Sequence, residues 1–270
     1  MKIYHYTTID ALAMILSNRS IKFSRLDKVD DMEECVESQN VWLGKYAFVS
    51  CWTEDSEEFI PLWKMYSGDH HGVRIGMEPD MFEKNIVKDL VLPDGEKMEG
   101  QLTSMLSPQE ILNPDYFIFP FNSELTELFF CHINYVDDVK AKTAGAFQIR
   151  MTESTHASAT IAFGEIGKYK NKRWNFQKET RFRIFAQPYN AIYADENIGT
   201  IALNSYLTNK QLPFSEYYLS LRKDAINNME ITLHPNSTKS DRIIVEALCA
   251  QFAPEAKVLD SSLKGKVILK

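Results

Sequence analysis

A chain of 270 residues has room for one large domain or two small ones. Its 44% hydrophobic and 25% charged residues are the ordinary balance of a globular protein. The formal net charge of -7 argues against broad non-specific phosphate binding, which depends on clustered Lys and Arg. The four cysteines, Cys35, Cys51, Cys131 and Cys249, form no C-x-x-C pair, so neither a zinc site nor a disulfide framework is expected.

No basic leader precedes an apolar stretch, and no apolar run approaches the roughly 18 residues that a membrane helix needs. A cytoplasmic protein with reduced thiols and no membrane contact is the expectation. Aromatics at 12% suit either a pocket with stacking rings or a plain core.

The chain opens on Ile3-Tyr4-His5-Tyr6-Thr7-Thr8, a short strand holding a histidine. Behind it Ile9, Leu12, Ala13 and Leu16 recur at helical spacing, with Thr7 or Thr8 as N-cap. His5 therefore stands beside a helix start, where backbone N–H groups gather anions. Ile21-Lys22-Phe23-Ser24 alternates as a strand and runs into the acidic block Asp30 to Glu34. That block reads either as a solvated loop before a helix or as a carboxylate cluster facing a ligand or an arginine.

Tyr46 to Trp52 is apolar nearly throughout, as expected of a central strand covered on both faces. Phe59, Leu62, Trp63 and Tyr66 fall on one helical face. Ser67 to Gly72 is turn chemistry, and its adjacent His70 and His71 point in different directions, which disfavours a metal site. Val73 to Met77 alternates as a strand with Arg74 opposite Val73 and Ile75. From Glu78 to about Leu128 a helix, a loop around Pro93-Asp94-Gly95 and mixed structure are expected, as a helical insertion or lid around 78–130 in a single domain spanning 1–270.

Cys131 to Val136 returns to strand pattern, with Asp137-Asp138 capping the next helix, and helical sequence is expected from Ala141 to about Gly167. Lys168 to Trp174 is a basic cluster interleaved with aromatics. Period-two alternation from Phe176 to Phe185 puts Gln177, Glu179, Arg181 and Arg183 on one face and Thr180, Phe182 and Ile184 on the other. If the first face is covered, Glu179 must pair with a cation, and a carboxylate fixed by Arg181 becomes available for chemistry. The tail reads as strand at 229–233, turn at His234, helix from Ser240 to Phe252 and strand at Lys257 to Asp260.

Taken together, Tyr4-His5-Tyr6-Thr7, Ile21-Lys22-Phe23-Ser24, the Asp30 to Glu34 block, Val49-Ser50-Cys51-Trp52, Leu62 to Gly72-Val73 and Glu179 to Arg183 resemble, in this order, a bacterial family catalogued as a domain of unknown function, DUF 2971. The chain departs from that family's usual Asn-Asp-Pro and Gly-Pro loops at Asp30-Asp31-Met32 and His234-Pro235. The family is similar, more distantly, to ADP-ribosyltransferase-like folds, including abortive-infection toxins. The resemblance implies an α+β fold with a mixed, mainly antiparallel central sheet, split as in those enzymes and surrounded by helices.

It also implies NAD as co-substrate, no metal, and a protein or nucleic-acid acceptor in a phage-defence or toxin role. Glu179 and His5 would be catalytic, Glu179 facing the oxocarbenium-like ribose and taking the acceptor's proton, His5 positioning a ribose hydroxyl. Tyr6, Thr7, Trp63 and Tyr66 would contact the cofactor, Arg25 or Arg74 would neutralise its pyrophosphate, and Asp31, Glu34, Gln177 and Arg181 would complete the pocket. No G-x-G-x-x-G follows a strand, so a Rossmann site is not expected. The alternatives are a non-catalytic module that binds a nucleotide or a nucleic-acid end in the same pocket, and a purely structural interaction protein.

Overall fold

The computed structural model describes residues 1–270 except 36, 69–70, 92–96, 112, 114, 121–123, 154–155, 189–197 and 270. His70 of the histidine pair, Pro93-Asp94-Gly95 and Pro114 thus lie outside the described residues.

Strand β1 (Ile3–Thr8) passes through the N-cap Thr8 into helix α1 (Ile9–Asn18). The helix buries Ile9, Leu12, Ile15 and Leu16 and ends where Arg19 turns left-handed at φ 48°. β2 (Ser20–Arg25) follows, then two 3-10 turns at Leu26–Lys28 and Met32–Glu34 and the small hairpin β3 (Glu37–Ser38) and β4 (Val41–Trp42). β5 (Ala47–Thr53) leads to α2 (Ile60–Tyr66) and β6 (Gly72–Met77). Next come β7 (Asn85–Val91), β8 (Lys97–Ser104), α3 (Pro108–Ile111), β9 (Tyr116–Phe119), β10 (Phe130–His132), β11 (Asn134–Val136) and α4 (Val139–Thr143). β12 (Phe147–Glu153), β13 (His156–Ile161), β14 (Tyr169–Asn171) and β15 (Glu179–Pro188) precede α5 (Ile198–Leu207). The chain finishes with β16 (Glu216–Ser220), α6 (Lys223–Asn227), β17 (Glu230–Leu233), α7 (Lys239–Phe252) and β18 (Lys257–Leu259).

The fold is α+β, built on a mixed, mostly antiparallel open sheet of ten strands whose main path runs β10-β15-β5-β1-β6-β17-β18. Among the described residues, only β17 and β18 pair in parallel within it. β5 is central and buried on both faces, as its near-continuous apolar sequence requires. One edge of β5 pairs with β15 along its length, from Glu179 opposite Thr53 to Phe185 opposite Ala47.

The other edge of β5 is shared. β1 holds it at Thr53, opposite Tyr4, while β2 holds it at Val49 and Phe48, opposite Ser24 and Arg25. Between these contacts Ser50, Cys51 and Trp52 face a slot, and α1 bridges the two diverging strands. β6 continues the sheet beyond β1, pairing from Ile3–Met77 to Thr8–Gly72. Gly72 admits no side chain: a Cβ there would stand 2.0 Å from that of Ser67.

Several segments differ from the sequence reading: Phe176 and Gln177, expected in a strand, belong to a 3-10 helix from Lys172 to Gln177, the strand expected from Cys131 to Val136 is split into β10 and β11, and two expected helices are hairpins. Helix was expected from Glu78, yet β7 and β8 form an antiparallel hairpin; Ile86, Val87, Leu90 and Val91 are the branched residues that fit a pleated surface. Helix was also expected from Ala141 to Gly167, but only α4 forms, and β12 and β13 make a second hairpin from Phe147 to Ile161. Ala157 and Ala159 favour helix locally, but pairing with Ile149 and its neighbours overrides that preference.

The main core lies on the sheet face that carries Phe48, Trp52, Phe182 and Ile184, packed with α1 and α7. Phe182 is its centre, with ring centroids of Phe82, Phe129, Phe130 and Trp52 at 5.0, 5.2, 4.8 and 6.3 Å. Truncating a ring so enclosed loses its transfer energy and leaves a cavity. Phe182→Ala is expected to destabilise the fold by about 3–5 kcal/mol, read as a lowered midpoint in chemical denaturation.

Candidate functional site

The slot beside β5 opens into a cavity of about 430 Å³, a size suited to a small ligand. Its floor is Val49 to Thr53 of β5. One wall is β1, from Tyr4 to Thr7, with Leu62 and Tyr66 of α2. The opposite wall is β2, through Ser20, Lys22 and Ser24, with Tyr218 and the following loop from Lys28 to Asp30. Ala11, Met14, Ile15 and Asn18 of α1 close the back, and Lys170, Gln177, Glu179 and Arg181 close one end.

Strand register sets His5 and Glu179 on opposite sides of the sheet, because Tyr4 and Glu179 both oppose Thr53 and successive side chains alternate. Both nevertheless line the same cavity. The slot joins the two faces. His5 Nδ1 lies 2.8 Å from the Cys51 carbonyl, inside the stretch of β5 that neither β1 nor β2 pairs. Since a carbonyl only accepts, Nδ1 carries the proton and Nε2 is left as an acceptor.

Burial pushes the imidazole below its usual pKa; the Cys51 hydrogen bond opposes this and nearby Lys22 adds to it. A neutral His5 whose tautomer is fixed by the backbone follows. Its ring also packs on Trp52 at 5.1 Å.

At the closed end, four buried charges pair off. Arg181 Nε donates to Glu179, its Nη1 and Nη2 donate to Glu34, and Lys170 Nζ reaches Glu179 Oε2 at 3.0 Å and Glu34 Oε1 at 3.3 Å. Two cations thus balance two carboxylates where isolated charges would be prohibitive. Lys170 also donates to Gln177 Oε1 at 2.7 Å and lies 4.9 Å from the Trp174 ring. Gln177 Nε2 donates to the Tyr66 hydroxyl at 2.8 Å, and Tyr66 donates to Asp30 Oδ2 at 2.9 Å. A continuous chain of hydrogen bonds therefore runs from Lys170 to the mouth at Asp30.

Burial by itself would raise the pKa of Glu179, but Arg181 and Lys170 outweigh it and hold the carboxyl well below the usual range. The mirror effect raises Arg181 and Lys170 against the opposing pull of burial. Glu179 is a permanent anion and a weak base. Cys51 is inert as a nucleophile, since burial pushes its thiol up and Glu179 adds to the shift.

The expected site residues divide accordingly. His5, Tyr6, Thr7, Tyr66, Gln177, Glu179 and Arg181 line the cavity together. Glu34 lies just behind them, fully buried against Arg181 and Lys170. Asp31 instead caps the 3-10 turn at Met32, accepting from Glu33 N–H.

Trp63 is no stacking platform; it is sealed in a core cluster against Tyr6 and His234, with its indole N–H on Glu58. Arg25 is occupied by Asp27, at 2.9 Å from Nη2. Arg74 donates to the Ser56 carbonyl and lies 4.3 Å from the Tyr4 ring, outside the cavity lining. Two N–H groups at the start of α1 are likewise engaged, Ile9 N–H by His71 O and Ala11 N–H by Thr8 Oγ1. The sequence reading did not single out Lys22, Ser24 or Lys28, and took Lys170 within a basic cluster and Asp30 within the acidic block rather than as separate site residues. The period-two alternation of Ser20, Lys22 and Ser24 was the available signal.

Residues 62–182 match the model of a family described as protein of unknown function (DUF2971). The match supports the family resemblance over the Leu62 to Val73 motif and most of Glu179 to Arg183, while the motifs at Tyr4, Ile21, Asp30 and Val49 lie outside it. It takes in α2 and the charged end of the cavity at Lys170 to Arg181, while β1, α1, β2 and β5 precede it. No curated protein and no solved structure matches the chain.

The low pKa of Glu179 carries a stability consequence. Its folded value lies below the ordinary 4.5, so its contribution is complete above that pH and is lost as pH falls through the folded value. Glu179→Gln is expected to flatten the acid limb of the stability–pH curve, measured by urea unfolding from neutral pH downward. Lys170→Met, which leaves a buried carboxylate short of a partner, is expected to cost about 3–5 kcal/mol at neutral pH in the same measurement.

Proposed function

We propose that the protein acts on the nicotinamide–ribose bond of an NAD-type nucleotide, in the manner of ADP-ribosyltransferase-like enzymes, with a protein or nucleic-acid acceptor or water and a phage-defence or toxin role. The observation that carries this reading is a single cavity, opened by a split in the sheet, that is lined both by a neutral His5 and by the permanently ionised Glu179.

In this reading His5 Nε2 accepts a hydrogen bond from a ribose hydroxyl, its own orientation fixed through Nδ1. The Tyr66 ring packs on the nicotinamide. As the bond from ribose C1′ to nicotinamide N1 breaks, its electron pair leaves with the nicotinamide, and the positive charge left on the ribose faces the Glu179 carboxylate. The acceptor's lone pair then forms the new bond to C1′. Glu179 is too weak a base to take the acceptor's proton, so that proton passes to solvent.

A second reading is favoured by a different observation. Both oxygens of Glu179 already accept from cations, which spends much of its field. A module that binds the nucleotide or a nucleic-acid end without cleaving it uses the same cavity.

Incubation with NAD separates the two. Free nicotinamide is expected to appear with the natural chain, and Glu179→Gln to slow its release by at least about a hundredfold, as for loss of one electrostatic stabiliser, with thermal unfolding checked in parallel. Binding of NAD without release of nicotinamide favours the second reading; neither binding nor release overturns both.

A further inference from the structure

Most polar groups around the cavity are already engaged by the fold. Arg181, Lys170, Gln177, Tyr66 and Asp30 form one bonded chain, and His5 is tied through Nδ1. The β2 side is different. Ser20 and Ser24 line it and make no side-chain hydrogen bond among the described residues, while Lys22 lies between them on the same strand face. Among the described residues Lys22 is held only by Glu216, at 3.1 Å, a pair half open to solvent.

Lys28, at the end of the turn that follows β2, is exposed, lines the cavity and has no carboxylate partner among the described residues. The cavity is therefore bipolar. One end is a closed and neutralised ion network with a carboxylate; the other is an open wall where the Ser20 and Ser24 hydroxyls and the Lys28 ammonium are uncommitted among the described residues, beside Lys22 on Glu216 and an Asp30 carboxylate that already accepts from Tyr66.

We propose that this second wall is a phosphate subsite, so that the ligand is a nucleoside phosphate whose phosphate is met by Lys28 and Ser24, with Lys22 released from Glu216 to join them. The inference rests on the nucleotide reading of the cavity. It assigns the anionic part of the ligand to lysines of β2 and its turn, where Arg25 and Arg74 are held by other partners. A lysine supplies a mobile point charge, and hydroxyls complete the contacts of a phosphate oxygen. An exposed, weakly paired lysine also gives up little on binding, because a surface ion pair of this kind contributes almost nothing to the fold.

Calorimetric titration of the full chain with nicotinamide mononucleotide and with nicotinamide riboside tests this. The phosphorylated ligand is expected to bind at least about tenfold tighter, the scale of one charge-assisted contact. That advantage is expected to vanish in Lys28→Ala, to fall in Ser24→Ala and to survive in Lys28→Arg, with riboside binding unchanged throughout. Lys28 is exposed, so these variants leave the fold intact. Equal binding of the two ligands, or an advantage that persists in Lys28→Ala, overturns the phosphate subsite and leaves the nucleotide reading standing. Absence of binding by both ligands and by NAD overturns both.

Discussion

The architecture depends on one geometric constraint at the edge of β5. Two strands leave opposite ends of α1, and a ten-residue helix spans about 15 Å, so β1 and β2 cannot lie side by side along a seven-residue strand. Each takes one end of β5, and the carbonyl and amide groups between them face no strand. Such groups are costly when buried and unpaired. His5 answers one of them by donating to the Cys51 carbonyl. The histidine is thus a structural part of the split and, by the same bond, a ring with one fixed tautomer and one uncommitted nitrogen.

The closed end obeys a different rule. Desolvation penalises each of Glu34, Lys170, Glu179 and Arg181 separately, so they are tolerated only as a set. The cation that completes the set comes from β14, a short strand paired in parallel with β11 outside the main sheet. The apparent basic run from Lys168 to Arg173 therefore splits in function. Lys170 is buried and holds carboxylates, while Lys168 pairs with Glu127, Lys172 with Asp137 and Arg173 with Glu33 at the surface.

What was legible in the sequence was periodic and local. The alternation of β15 correctly separated Glu179, Arg181 and Arg183 from Phe182 and Ile184, and the apolar run of β5 announced a strand covered on both faces. Thr8, α1, α2 and the closing elements from β17 to β18 followed their caps and spacings. The two hairpins at 85–104 and 147–161 did not, because small and mixed residues there leave the choice to strand pairing. Residue type alone also could not tell a free arginine from an occupied one. Arg25 and Arg74 read as phosphate ligands until Asp27, Ser56 and Tyr4 are placed beside them.

That last distinction carries the most weight for function. A charged side chain already paired in the fold must break that pairing before it can serve a ligand, and inside a protein the loss is large. In this cavity the tightly paired groups gather at β14 and β15, while Ser20, Ser24 and Lys28, which make no side-chain pairing among the described residues, lie on β2 and the turn after it. His5 lies between, neutral at physiological pH and, among the described residues, bonded through one nitrogen only. On the proposed reading, a ligand would place its anionic group where donors are uncommitted and a centre that develops positive charge where a fixed carboxylate stands, so that the polarity of the cavity, more than any single residue in it, would set its orientation.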